Sequence, residues 1–187
     1  MSVSRFEYLS VLISIIIALG INEVLMSWGR LLRNRHKVRF YWPHAFWSAL
    51  VLFLMIQLWW GFWNYRVVQH WSLFNLIITV LEAMTLVFCA MQLMPGRASA
   101  AGIDLRERYF DNCRPFFVLG SLTILQMVIT DVSILGIPVM HPENYVRLVA
   151  ICMSALLAWS PNPRLHETMP AVALLILATF LSYAIML

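Results

Sequence analysis

Charge is what this chain lacks most. Asp, Glu, Lys and Arg make up 12% of its 187 residues and apolar residues 61%, whereas soluble domains run at about a quarter charged. A chain of this length has room for one soluble core, but 12% charge does not supply the polar surface to cover it. The long apolar runs and a mean hydropathy of +0.78 point to membrane spans instead. Cysteine is also scarce. Cys89, Cys113 and Cys152 show no paired or metal-type spacing, which argues against a disulfide framework and a metal centre. HExxH, CxxC, Gly-rich phosphate loops and serine elbows are all missing, so nothing here supports an enzyme or a cofactor. Only Arg5 precedes the first apolar run, and no small-residue cleavage site follows it; this does not read as a cleaved signal peptide.

What is present is an all-α, polytopic pattern. Six transmembrane helices with short loops are predicted at about 6–28, 41–63, 72–93, 115–135, 145–159 and 170–187, as a single domain. The fifth is short for a span. Arg30, Arg33, Arg35, Lys37 and Arg39 lie between spans one and two. Arg97, Arg106, Arg108 and Arg114 lie between three and four, and Arg164 between five and six. Those loops hold ten of the thirteen basic residues, leaving Arg5, Arg66 and Arg147 for the other side. The positive-inside rule then places the basic loops in the cytoplasm and both termini outside, in a plasma or inner membrane. The clustering explains the net charge of +4 without nucleic acid as a partner. Trp42 and Trp47 near one end of span two, and Trp59, Trp60, Trp63 and Trp71 near the other, read as headgroup-level belts.

The longest loop contains DLRERYFDN, where Asp104 followed by Glu107 resembles a capping box. It predicts a short surface helix whose arginines meet anionic lipid while Tyr109 and Phe110 dip inward. Pro170 is placed in the first turn of span six.

Carboxyl groups inside the spans carry the functional signal. An acid at a span centre costs about 2.5 to 3.5 kcal/mol on insertion scales, so it is kept where it is hydrated, paired or neutral. Gly20, Glu23, Ser27 and Arg30 share one stripe of span one. Ser10, Ser14, Ala18 and Asn22 form a second, whose small side chains suit helix contact. Glu82 lies mid-span with no basic residue near it in sequence, and Gln126 and Thr130 share a face of span four. A mid-membrane carboxyl that gains and loses a proton is the raw material of a relay or cation site.

These residues give a first expectation, a small transport protein, either channel or proton-linked carrier. Its site would comprise Glu82, Glu23, Gln126 and Thr130. The plainer readings are structural. Glu23 would pair with Arg30, Asp131 with Arg147, and a neutral Glu82 would bond Gln126, Gln57 or a carbonyl. Small size and the stripes of span one suggest a homo-oligomer. The alternative is a non-transporting scaffold or sensor. It would bind anionic lipid or a cytoplasmic protein through Arg30, Arg33, Arg35, Lys37, Arg39, Arg106 and Arg108. His44 and His166 share an edge but show no spacing that assigns them chemistry.

Overall fold

The computed structural model describes residues 5–68, 70–94 and 102–186, with side chains at all of these except 5, 180, 181 and 183–186. Arg97, the turn around it and the side chain of Arg5 therefore lie outside the described residues. Among the described residues six α-helices follow one another: α1 (Arg5–Arg33), α2 (Trp42–Gly61), α3 (Leu73–Leu93), α4 (Leu105–Thr130), α5 (Pro142–Trp159) and α6 (Pro163–Met186). Among the described residues, four stretches are long and apolar enough to cross a membrane: Phe6–Arg33, Trp42–Val67, Leu73–Leu93 and Leu105–Leu135. The second includes a 3₁₀ segment after α2 and the fourth a π-helical turn after α4. The helix at the fifth expected span, α5, has Glu143, Asn144 and Arg147 near its start.

The helix starts have chemical causes. Pro43 occupies the first turn of α2, where a missing N–H costs nothing. Ser72 Oγ accepts from Asn75 N at 3.1 Å ahead of α3. Asp104 Oδ1 accepts from Arg106 N at 2.8 Å and Glu107 N at 3.2 Å ahead of α4. Asn162 Oδ1 accepts from Arg164 N at 3.1 Å in the first turn of α6.

Helices α3 and α4 form the central pair. On one side α1 and α2 pack against α3; on the other α5 packs against α4, and α6 lies on α5 and α2. The buried face of α1 is Leu9, Ile13, Ile17, Gly20, Val24 and Ser27, at steps of three or four. At Gly20 a Cβ would come within 2.6 Å of Met55 Cε and 2.8 Å of Val87 Cγ2, so the glycine sets how closely α1 approaches.

Some expectations change in detail. The fourth helix begins at Leu105 rather than 115, so DLRERYFDN is its first part and no separate surface helix forms. The Asp104 cap starts it, and packing of Tyr109, Phe116 and Phe117 carries it through Pro115, whose missing N–H removes one hydrogen bond. Tyr109 is fully buried, so it packs against protein and not lipid. Likewise α6 starts at Pro163, leaving Pro170 inside it. Trp47 belongs to the core, edge-on to Phe117 at 5.0 Å, whereas Trp42, Trp59, Trp60 and Trp63 are exposed. On α1, Ala18 and Asn22 face outward, and Ser14 accepts a hydrogen bond from Trp59 Nε1 at 3.0 Å.

The loops holding most of the basic residues gather at one end, called the basic end below. There β1 (Val38–Arg39) and β2 (Ile103–Asp104) pair in parallel. Arg39 Nη1 bridges to Asp104 Oδ2 at 3.1 Å. Arg108 Nη2 donates to Met94 O at 2.7 Å, tying the start of α4 to the end of α3.

Candidate functional site

Glu82 lies on the face of α3 that meets α4 and is 2% exposed. Its Oε2 is 2.9 Å from Thr130 Oγ1. Thr130 is fully buried, and the same hydroxyl is 2.8 Å from the carbonyl of Gln126, one turn back. A threonine hydroxyl has one hydrogen and two lone pairs, and a carbonyl only accepts. With an ionised Glu82, the hydroxyl hydrogen turns to the carboxylate. With a neutral Glu82, the carboxyl O–H donates to Thr130, whose hydrogen turns to the Gln126 carbonyl. Both protonation states are therefore hydrogen-bonded in the same geometry. Gln126 does not bond Glu82 through its side chain; its Oε1 is buried without a partner among the described residues.

The next residue, Asp131, leads toward the opposite end of the bundle. Its Oδ2 is 2.7 Å from Arg147 Nη2 on α5, and its Oδ1 accepts from the Tyr65 hydroxyl at 3.0 Å. Arg147 also meets Glu143 Oε2 at 3.6 Å, one turn earlier, and Asn144 Oδ1 at 3.1 Å. The Asp131 and Arg147 side chains are 14% and 12% exposed. At Asp131 the helix passes into a π-helical turn, Asp131–Leu135, closed by Gly136 at φ +68°, a left-handed conformation that glycine adopts freely.

Glu23 is not part of this group. It sits near the basic end of α1, half-exposed, with Arg30 Nη2 3.5 Å away and the Ser27 hydroxyl donating to its Oε1 at 3.4 Å. From Glu82 toward the basic end, the buried positions of α3 are Ala83, Thr85, Leu86, Val87, Cys89, Ala90 and Leu93. Thr85 spends its hydroxyl on Leu81 O. An apolar layer thus separates the two glutamates.

The basic residues divide as well. Arg33, Arg35 and Lys37 are exposed, and Arg106 is exposed with its guanidinium 5.8 Å from the Phe110 ring. Arg30, Arg39 and Arg108 are engaged with Glu23, Asp104 and Met94 O. Backbone N–H groups of Glu107 and Arg106, with Arg39 beside it, hold the Asp104 carboxyl below the usual carboxylate range.

The two inner histidines have structural partners. His44 Nε2 donates to Leu93 O at 2.8 Å. His166 Nε2 faces Ser160 O at 2.8 Å and must donate, so its Nδ1 accepts from the Tyr109 hydroxyl at 2.8 Å. Burial pushes His166 below the ordinary histidine range. No group of three or more His, Cys, Asp or Glu suited to a metal occurs among the described residues.

Sequence reasoning missed Glu143 and Tyr65. Glu143 was visible as the residue four before Arg147 in PENYVR, an ordinary helical ion-pair spacing. Tyr65 left no local signal, because its partner is 66 residues away. Comparison with profiles of known protein families, with curated protein sequences and with solved structures returns no match.

Proposed function

We propose that this chain is a small integral membrane protein acting as a proton-linked carrier, with Glu82 as its proton site. The observation that carries the reading is the Glu82–Thr130–Gln126 arrangement, which bonds the carboxyl in either protonation state at a fully packed depth. Asp131, Arg147 and Glu143 supply a polar approach from one end. The apolar layer of Leu86, Val87 and Ala90 below Glu82 favours a carrier over an open channel. Discharge toward Glu23 and the basic end then requires a rearrangement of α3 against its neighbours. Gln126 and Thr130 serve as the support of the carboxyl, and Glu23 as the receiving group near the basic end.

Asn22 and Ala18 on the outward face of α1 support lateral association between copies. By the positive-inside rule the basic end lies in the cytoplasm.

The test is proton and monovalent-cation flux in liposomes holding purified protein, beside Glu82→Gln and Glu23→Gln. Glu82→Gln keeps shape but fixes one protonation pattern, and is expected to abolish flux. Glu23→Gln is expected to reduce it. Undiminished flux in folded Glu82→Gln would overturn the assignment.

A second reading rests on a separate observation. The β1–β2 pairing and the Arg39–Asp104 bridge join two basic loops into one surface that leaves Arg33, Arg35 and Lys37 exposed. That surface suits anionic lipid or an acidic cytoplasmic partner, as in a scaffold or sensor subunit. Absence of flux together with salt-sensitive binding to phosphatidylserine vesicles would favour it.

A further inference from the structure

A cavity of about 170 Å³ is lined by α2, α3, α4, α5 and α6, with Leu86 and Cys89 of α3 in its wall. Its walls run along α2 from Trp47 to Gln57. Ten residues at 1.5 Å each make that about 15 Å along the helix, so the cavity is long and narrow. Leu50, Leu54, Phe117 and Ile176 are typical of its lining. Dry apolar cavities of similar volume hold small apolar molecules.

Two polar side chains in this wall are unengaged. Gln57 Oε1 is buried without a hydrogen-bond partner among the described residues, and Gln57 lines the cavity near the Arg147 end. Ser154 lines it too, is 7% exposed, and has no hydrogen bond among the described residues. Thr123, also in the wall, is satisfied by Leu119 O at 3.0 Å. An unmet buried carbonyl oxygen costs about 1 to 3 kcal/mol, and a donor on a bound molecule would meet that of Gln57.

Arg147 also lines the cavity, and its charge is already matched by Asp131 and Glu143. Those groups together carry one more negative than positive charge when ionised, so an anionic head gains nothing there. We propose that this cavity binds the single chain of a neutral amphiphile, with a hydroxyl head that donates to Gln57 Oε1 beside Arg147 and an alkyl chain that runs toward Trp47. Long-chain alcohols and monoacylglycerols have this chemistry. The inference is independent of proton transport at Glu82.

The test uses the full chain in phosphatidylcholine nanodiscs and a long-chain primary alcohol carrying a diazirine on its chain. After illumination, labelled residues are mapped by mass spectrometry, with unlabelled alcohol as competitor. Labels are expected on the cavity wall and are expected to be competed away. Ala150→Leu, which fills the cavity, should remove them. Gln57→Leu, which deletes an unpaired polar atom and should fold normally, is expected to weaken competition about fivefold, the worth of one hydrogen bond. A carboxylate probe of the same chain should label less. Labels spread over outward residues such as Leu148, Leu156 and Leu174, with no response to Ala150→Leu or Gln57→Leu, would overturn the proposal. Equal labelling by the carboxylate would overturn the neutral head.

Discussion

The two ends of the bundle bury polar groups by opposite means. At the end holding Asp131, Arg147, Glu143 and Tyr65, polar side chains bond one another across α4, α5 and the segment after α2. At the basic end, the buried His44 and His166 each bond a backbone carbonyl, Leu93 O and Ser160 O. The first scheme sets side chain against side chain across three elements. The second ties side chains to the backbone at the loops. The two ends thus differ in what each polar group bonds, side chains at the first and backbone carbonyls at the second, although both contain titratable side chains.

The sharpest way to break this comparison is Arg147→Met. It leaves Asp131 and Glu143 without their cation, and is expected to cost about 3 kcal/mol in thermal unfolding. Asp131→Asn in the same chain should recover part of that loss. A cost under about 1 kcal/mol for Arg147→Met would mean that the network is solvated like a surface pair.

At the other end, Tyr109→Phe removes the donor to His166 Nδ1 and should cost about 1.5 kcal/mol. The pH profile sharpens the point. His166 is held below its unfolded value of 6.5, so the unfolded chain takes up the proton first. Its contribution to stability is therefore complete above pH 6.5 and is lost as pH falls below it, by at most about 1.4 kcal/mol per pH unit. His166→Gln should flatten that part of the unfolding profile, and an unchanged slope would remove His166 from the account.

Smaller effects test the joint between the basic loops. Asp104→Ala removes the cap of α4 and should give the larger loss of the two. Arg39→Ala, which breaks only an exposed pair, should cost less than about 0.5 kcal/mol. If the two proved equal in denaturation, the bridge and not the cap would be holding Asp104.

Much of the fold was legible because apolar runs and caps are local. Asp104 marked a helix start, and the apolar runs and the stripes of span one marked helices. The start of α4 was misplaced because Pro115 reads locally as a boundary, while packing of Tyr109 and Phe117 around it is a tertiary fact. Trp47 looked like a belt residue for the same reason: depth along a helix can be counted, but which way a ring faces depends on its neighbours. Of the site, Glu82 stood out because a carboxyl in an apolar run is costly wherever the run folds. Thr130 was grouped with it in the expected site, but the direct bond between them, 48 positions apart, depends on how α3 meets α4.

The sequence by itself determined an all-α chain with helices apolar enough to cross a membrane, the clustering of basic loops, and the presence of a carboxyl in the middle of α3. Those follow from composition and period, which act within a helix. Only the tertiary structure decided that Glu82 meets Thr130, that Glu143 and Tyr65 join the Asp131–Arg147 pair, and that Gln57 and Ser154 face one cavity. Each of these depends on how one helix is rotated against another, and that rotation is set by the summed packing of all the faces rather than by any residue's own neighbours in sequence.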